Sequence, residues 1–324
     1  MGGKRRFFQA SPGKRCIREN RMKSYFAAFC ICVLILAGPG LTRAQHARQG
    51  LQEKSLTIGL VPEQNLFKQI ERYTALADYL SSKTGVKIKL KTITRYGNVV
   101  DSFVSSGLDG AFLGSLTYVL VRAKMGVEVL ARPENAQGVS TYHGLIFVRH
   151  DSGIKNVNGM RGKRFVFVDQ ASTAGFLLPL DYLRSHGVEN YRSYLKEVYF
   201  AGTHEDPIYD VLNKKADIGA AKNTVFDRLA ESDRRIKEEL LVLAKSPEVP
   251  ENGLALRKDI DGSVRSSLTE ALLNMHRDAA GQIALKNFGA VRFIVTTDKD
   301  YEPVVRYAYK VGLNIDQYHS WNDR

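Results

Sequence analysis

Short apolar segments alternate with amphipathic segments along the chain from Leu56 onward. Residues 56–61 form an apolar run that ends before Pro62, and residues 70–83 then carry apolar side chains at helical spacing as far as Gly85. Apolar runs of about four to eight residues predict buried strands, whereas a period of about 3.6 residues predicts amphipathic helices. The pattern therefore predicts a strand followed by a helix that ends at a glycine.

The same alternation continues through two series of elements, the second of which opens at Tyr142. The predicted strands lie at 56–61, 86–93, 110–113, 127–131, 142–148, 164–168, 197–200, 217–220 and 240–243, and the predicted helices at 70–83, 98–106, 116–124, 173–186, 208–213, 224–230, 264–279, 283–288 and 300–311. Such alternation is typical of a mostly parallel sheet with helices on both faces. No Gly/Ser-rich linker separates the two series, so we expect two α/β lobes joined by strand-like hinges.

Positive charge is concentrated at the beginning of the chain. The 324 residues have a formal net charge of +13, and residues 1–44 contain nine basic residues and one acidic residue, so that +8 falls on this segment and +5 on the remainder. An apolar run at 25–36 and small residues up to Ala44 follow. This order indicates a secretory signal peptide, since a membrane-spanning helix needs about 20 apolar residues. We expect a cleaved leader at 1–44, whose true start is Met22, with an uncleaved anchor as the alternative.

The remaining residues exclude several classes of protein. All three cysteines lie at or before position 32, so thiolate metal sites, disulfides and cysteine nucleophiles are not expected in the folded part. The seven histidines show no metal-binding spacing, and no phosphate-binding glycine loop occurs. The basic residues after the leader are dispersed, which argues against a nucleic-acid partner. We expect no metal, no cofactor and no enzymatic activity.

One segment combines a strand end, hydroxyl groups and a helix start. The apolar strand at 164–168 runs through Ser172 and Thr173 directly into a predicted helix. The free N–H groups and the positive dipole end at the start of a helix bind anions, and open α/β sheets place ligands at the carboxyl ends of their strands. The alternative is that Ser172 or Thr173 only caps the helix.

The segment from Lys163 to Pro179 resembles the signature of phosphate-, phosphite- and phosphonate-binding proteins of ABC importers, the PhnD-like family. Further segments match in the same order, and together they span about residues 56–290: Tyr96, residues 108–118, Tyr142, residues 202–205, 216–219 and 246–250. The resemblance implies a periplasmic-binding-protein type II fold, with lobe 1 at 54–143, lobe 2 at 144–248, and a return to lobe 1 with C-terminal helices at 249–324. It also implies a periplasmic location.

The resemblance also implies which residues bind the ligand. Ser172 and Thr173 match the pair that takes the phosphorus oxyanion, His204 matches the cleft histidine, and Tyr96 and Tyr142 match two cleft tyrosines. All five side chains can donate hydrogen bonds to an oxyanion. From the residues alone, His204 reads as a structural histidine and both tyrosines as packing aromatics. Ser115, at a second strand-to-helix junction together with Thr117, is a further candidate donor or a cap.

Two departures from the family bear on the substrate. Members that bind aminoalkylphosphonates hold the amine with carboxylates, and the matching positions here are Thr224 and Asn252, which become further candidate ligand-binding residues. Glu251 is adjacent to Asn252, and we expect its side chain to point elsewhere. Ala174 stands where the family often has serine. We therefore expect a preference for phosphate, phosphite or a simple alkylphosphonate over an aminophosphonate.

The sequence thus predicts an exported, monomeric solute-binding protein that delivers a small phosphorus anion to an ABC permease. The alternative is a receptor subunit of the same fold that reports to a membrane histidine kinase or chemoreceptor. The chain contains nothing that separates these two partners.

Overall fold

The structure is a computed structural model that describes residues 54–318. The predicted signal peptide at 1–44, its three cysteines and the alternative start at Met22 lie outside the described residues. No helix among residues 54–318 is long and apolar enough to cross a membrane.

A six-stranded sheet forms the first lobe. In spatial order its strands are β2 (Lys87–Thr92), β1 (Ser55–Leu60), β3 (Gly110–Leu113), β12 (Gly253–Leu256), β4 (Glu128–Glu134) and β13 (Arg292–Val295). Strand β2, which the pattern predicts at 86–93, lies at one edge of this sheet. The helices of this part of the chain are α1 (Leu66–Thr84), α2 (Val99–Ser105), α3 (Ser115–Met125), α9 (Gly262–Asn274), α10 (Ala279–Phe288) and α11 (Glu302–Lys310).

A five-stranded sheet forms the second lobe. Its strands in spatial order are β10 (Leu240–Lys245), β6 (Gly144–Arg149), β9 (Ile218–Lys222), β7 (Arg164–Phe167) and β8 (Glu197–Phe200). The helices are α4 (Leu178–Ser185), α5 (Tyr191–Tyr194), α6 (Glu205–Leu212), α7 (Asn223–Ser232) and α8 (Arg234–Glu239). Two short antiparallel strands, β5 (Thr141–Tyr142) and β11 (Val249–Pro250), pair where the chain passes from one sheet to the other and back.

Both sheets are mixed rather than mostly parallel. Strand β1 is parallel to β2 and β3, and β7 is parallel to β8 and β9, as the strand–helix alternation predicts. The strands next to the two crossovers run the other way: β12 is antiparallel to β3 and β4, and β6 is antiparallel to β9 and β10. These strands follow a passage between lobes instead of a helix within one lobe, so the rule for strand–helix–strand units does not govern their direction.

Local hydrogen bonds and backbone conformation determine where helix α1 begins and ends. The side chain of Asn65 accepts hydrogen bonds from the backbone N–H groups of Phe67 and Lys68, so the helix starts four residues before the predicted position 70. It ends as predicted at Gly85, whose φ of 66° lies in the left-handed region.

A continuous apolar cluster extends from the first lobe into the second. Val61 and Leu116 of lobe 1 belong to the same buried cluster as Phe165 and Leu177 of lobe 2. The carboxyl ends of the parallel strands of both sheets therefore face each other across a buried region, which is where the candidate site lies.

Candidate ligand-binding site

Ser172 lies at the turn between β7 and α4. Its Oγ accepts a hydrogen bond of 3.1 Å from the backbone N–H of Gly175, so it caps the π-helical turn Thr173–Leu177 that precedes α4. Capping uses the acceptor side of the hydroxyl, and the O–H hydrogen stays available for donation. The capping role and the anion-binding role of Ser172 are therefore compatible.

Thr173 connects the two lobes. Its Oγ1 accepts a hydrogen bond of 2.8 Å from the backbone N–H of Leu116, which lies in the first turn of α3. The starts of two helical segments, one from each sheet, consequently meet at this hydroxyl. Free N–H groups and positive dipole ends thus converge at one point between the lobes.

Tyr142 and Ser115 lie beside Thr173. The phenol O–H of Tyr142 donates to Ser115 Oγ at 3.5 Å, and the nearby hydroxyl of Thr173 partly offsets the rise that burial gives to the pKa of the phenol. Ser115 donates a 2.6 Å hydrogen bond to the carbonyl of Pro250 and caps no helix, since Gly114 occupies the N-cap position of α3. Thr117 instead donates to the carbonyl of Gly114 within its own helical turn.

His204 is held as a neutral donor. Its Nδ1 accepts a hydrogen bond of 3.1 Å from the backbone N–H of Lys222, which leaves the ring hydrogen on Nε2. Burial lowers the pKa of His204 to about 3, so the ring is uncharged at neutral pH. Tyr96 packs against His204 edge to face, with ring centroids 5.9 Å apart. Burial raises the pKa of Tyr96 and of Tyr142, so both keep their O–H hydrogens.

The structure thus brings together all five residues singled out in the sequence. Each is at most 3% exposed: Ser172, Thr173, His204, Tyr96 and Tyr142. All are uncharged hydrogen-bond donors on helix starts or strand ends. Such a set favours an anionic oxygen without supplying a basic group that would remove a proton from the ligand.

A buried lysine next to these donors was missed at the sequence level. The ammonium group of Lys222 lies 3.1 Å from Glu63, 3.2 Å from Asn252 Oδ1, and in contact with Glu251. It also lies 4.4 Å from the centre of the Tyr142 ring. The expectation that Glu251 points elsewhere is wrong, because Lys222 attracts its carboxylate into the buried region.

The charges of this cluster stabilise one another. Burial alone would neutralise Lys222, but Glu251 and Glu63 raise its pKa above the ordinary lysine value. Burial likewise opposes the charge of Glu63, yet Lys222 and neighbouring cations lower its pKa to about 2. Lys222 and Glu63 are therefore both charged at neutral pH.

Thr224 and Asn252, the further candidates, line one cavity of about 100 Å³. Asn252 donates a 2.9 Å hydrogen bond from Nδ2 to Glu63 and accepts from Lys222, so both ends of its amide are used. Thr224 lies in the first turn of α7, next to the end of β9 that carries Lys222. Neither residue replaces a carboxylate, but Glu63 and Glu251 supply two carboxylates from other positions.

The lobes touch around the candidate site. The backbone N–H of His204 donates to the carbonyl of Glu63 at 2.9 Å, and the backbone N–H of Asn65, just before α1, donates to the carboxylate of Glu205 at 2.9 Å. With the Leu116–Thr173 bond, these contacts join a strand end of one sheet to a strand end of the other. The structure therefore has its two lobes closed on each other.

The two buried charged residues that the sequence analysis missed, Lys222 and Glu63, both lie at or just after the end of a buried strand. Lys222 ends β9, whose other residues are all apolar and buried, and Glu63 closely follows β1. A charged residue that ends a buried parallel strand lies where ligands and their supporting groups collect. Within the described part of the chain, no group of three or more histidine, cysteine or acidic residues is arranged to hold a metal ion.

Comparison with known proteins agrees with this geometry. Residues 58–301 match the family described as ABC transporter, phosphonate, periplasmic substrate-binding protein. The phosphonates-binding periplasmic protein of Escherichia coli K12 is 26% identical over 267 residues, which cover 81% of this chain and 78% of that protein. The phosphate-import protein PhnD of Mycolicibacterium smegmatis is 29% identical over 213 residues, 62% of this chain and 65% of that protein.

The fold also has solved counterparts. The structure of PhnD1 from Prochlorococcus marinus MIT 9301, in complex with methylphosphonate, superposes with a TM-score of 0.72 at 23% identity, covering 81% of this chain and all of that chain. This likeness shows the two-lobed periplasmic-binding-protein fold. Because the match to the family spans most of the chain, the protein belongs to the periplasmic substrate-binding proteins of phosphonate ABC transporters.

Proposed function

We propose that this protein captures phosphate, phosphite or a simple alkylphosphonate between its lobes. The observation that carries the proposal is the meeting of two helix starts at Thr173, surrounded by the neutral donors of Ser172, His204 and the two tyrosines. A phosphorus oxyanion accepts hydrogen bonds on several oxygens at once, which suits donors that approach from both lobes. Relatives named for phosphonates and for phosphate support the same class of ligand.

The Lys222 cluster supports a preference against aminophosphonates. The carboxylates of Glu63 and Glu251, which could hold a ligand's amine, already pair with the ammonium group of Lys222. An aminoalkylphosphonate would bring a second ammonium group into a region whose carboxylates are neutralised. Burying that charge without a partner is unfavourable.

The proposal extends to the protein's place in the cell. An N-terminal signal peptide exports the chain to the periplasm, where the monomer closes over its ligand and delivers it to a membrane permease. Binding involves no covalent step, because the donors hold the anion without a base or nucleophile aimed at it. The family and its periplasmic relatives support this assignment.

Isothermal titration calorimetry on the mature protein tests the ligand class. The panel consists of phosphate, phosphite, methylphosphonate, ethylphosphonate and 2-aminoethylphosphonate. We expect at least one of the first four to bind, and 2-aminoethylphosphonate to bind at least about tenfold more weakly than ethylphosphonate, a difference of about 1.4 kcal/mol. Tightest binding of 2-aminoethylphosphonate, or no binding of any member, would contradict the proposal.

A further inference from the structure

A second set of basic side chains lines the cavity next to the candidate oxyanion site. The cavity of about 100 Å³ is bounded by Arg72 from α1 and by Arg228 from α7, one from each lobe. Lys222 and Asn252 form part of its wall, and Lys222 also touches Tyr142 and His204 of the candidate site. The cavity and the candidate site therefore share a boundary.

Both arginines have unused hydrogen-bonding capacity in this region. Arg72 donates from Nε and Nη2 to the carbonyl of Phe288, at 3.2 and 2.8 Å, but its buried Nη1 has no hydrogen-bond partner among residues 54–318. The buried Nη2 of Arg228 likewise has no partner in the described part of the chain. Buried guanidinium nitrogens are normally paired, so each of these is a donor without its acceptor.

The fixed charges around the cavity leave an excess of positive charge. Lys222 pairs with Glu63 and Glu251, whereas neither Arg72 nor Arg228 forms a salt bridge within residues 54–318. Three cations thus face two carboxylates, a net charge of +1. Arg72 and Arg228 line the same cavity, so their guanidinium charges repel each other; burial and the charge of Arg72 accordingly lower the pKa of Arg228. An anion between them would relieve this repulsion and supply the missing acceptors.

We propose that this cavity binds a second anionic group of the ligand, a carboxylate carried on the substituent of a phosphonate. This inference rests on the proposed function, because the phosphorus oxyanion is taken to occupy the site at Ser172 and Thr173. A carboxylate suits the cavity because it is planar, pairs with guanidinium groups in a fixed geometry, and fits a space that would hold about three water molecules. The ligand class is then the ω-carboxyalkylphosphonates.

Calorimetry with matched ligand pairs tests this inference. Phosphonoacetate, 3-phosphonopropionate and 4-phosphonobutyrate are each compared with the n-alkylphosphonate of the same chain length. We expect one carboxylate to bind at least about tenfold more tightly than its alkyl counterpart. In the Arg228→Gln variant this advantage should disappear while methylphosphonate affinity stays within about twofold of wild type, which also shows that the variant folds. Arg228→Lys should keep part of the advantage, since it retains the charge but not the planar fork.

The control variant is Arg277→Gln, which removes one positive charge from an exposed position outside the cavity. It should leave both affinities unchanged. Carboxylates that bind no more tightly than their alkyl counterparts, or an advantage that persists in Arg228→Gln, would overturn the inference while methylphosphonate binding upheld the proposed function. Failure of every phosphonate to bind, while phosphate or phosphite binds, would overturn this inference alone. Failure of the phosphonates, phosphate and phosphite together would contradict the proposed function as well.

Discussion

The ammonium group of Lys222 is buried among two carboxylates, an amide oxygen and an aromatic ring. It lies where β9 ends, at the boundary between the lobes, and its pairing with Glu63 links residues that are 159 positions apart in the sequence. Removing one member of a buried charge cluster leaves the others without compensation, and the loss exceeds the net value of the pair itself. A substitution that removes one charge of this cluster should therefore destabilise the protein, and further substitutions that remove the remaining charges should restore stability.

Lys222→Met should lower the free energy of unfolding by about 3–5 kcal/mol, because the buried Glu63 and the partly buried Glu251 are left without their cation. Urea denaturation at pH 7 measures the change. Adding Glu63→Gln and Glu251→Gln to this variant should recover most of the loss. The control Lys237→Met, at an exposed position on α8, should stay within about 0.5 kcal/mol of wild type. A loss no larger than that of the control would show that the cluster is not charged as described.

His204 gives stability a dependence on pH. Its pKa is about 3 in the folded protein and 6.5 in the unfolded chain, so between these values the unfolded chain binds more protons and stability falls as pH falls. From pH 6.5 to pH 5 the expected loss from this group is about 1.5 kcal/mol. Glu63 acts in the same direction but below its unfolded value of 4.5.

Urea denaturation at several pH values separates this contribution. His204→Gln should lose less stability than wild type between pH 6.5 and pH 5, by about 1.5 kcal/mol. The exposed His150→Gln should run parallel to wild type over the same range. Identical pH profiles for wild type and His204→Gln would refute the buried, neutral histidine.

The turn from β7 into α4 depends on a glycine at its tightest point. An ideal Cβ at Gly175 would lie 2.3 Å from Val168 Cγ2 and 2.9 Å from Ser172 Oγ, so any side chain here displaces the turn that presents the two hydroxyls. The requirement comes from close packing, because the φ of Gly175 is not positive. Conformational strain therefore plays no part in it.

Gly175→Ala should destabilise the protein by about 1–3 kcal/mol and weaken methylphosphonate binding, because Val168 and Ser172 must move. Thermal unfolding and calorimetry measure the two effects. Gly262→Ala, in the first turn of α9, is the matched control: nothing lies within 4 Å of its added Cβ, and it should be neutral or slightly stabilising. Unchanged affinity in Gly175→Ala would indicate that the turn does not position the ligand.

At the scale of the secondary-structure elements, the local apolar pattern predicts the positions of most strand–helix units well but does not predict strands β12 and β13. Strands β1, β3, β7 and β8 lie within about two residues of their predicted positions, because each is an apolar run bounded by turn residues. Strands β12 and β13 lie after residue 243, where the pattern predicts only helices. They are only four residues long each, and pairing with β3 and β4 from elsewhere in the chain stabilises them. Local periodicity does not register such pairing.

The residues of the candidate site likewise divide into those that the sequence indicates and those that it does not. Ser172 and Thr173 could be found from their place at a strand-to-helix junction, and the two tyrosines and His204 from the ordered family match. The inward direction of Glu251 could not, because it depends on Lys222, which is distant in sequence and ends a different sheet's strand. The arginines of the adjoining cavity come from two lobes and carry no shared motif.

Across the whole molecule, closure of the lobes rests on a few hydrogen bonds around the site. The N–H of Leu116 in lobe 1 donates to Thr173 in lobe 2, and the N–H of His204 in lobe 2 donates to the carbonyl of Glu63 in lobe 1, so opening the lobes must break both bonds. Amides within β3 are paired inside one sheet and stay protected whether the lobes are open or closed. The two groups of amides should therefore respond differently to ligand.

Hydrogen exchange with saturating methylphosphonate tests this coupling. The amides of Leu116 and His204 should exchange at least about tenfold more slowly with ligand than without, since a ligand that bridges the lobes favours the closed form. The amide of Ala111 in β3 serves as the internal control and should change much less. Equal protection of all three amides with and without bound ligand would contradict closure around the site.

The most direct test of the central claim is calorimetric titration of methylphosphonate into Ser172→Ala/Thr173→Ala. Hydrogen bonds to a charged ligand contribute about 1.5–3 kcal/mol each, so loss of both hydroxyls should weaken binding by about 100-fold or more. The matched control Thr74→Ala/Ser105→Ala removes two exposed hydroxyls that bond only within their own helices, and it should bind like wild type. A weakened double variant beside an unchanged control is the predicted result. Wild-type affinity in Ser172→Ala/Thr173→Ala would contradict the account.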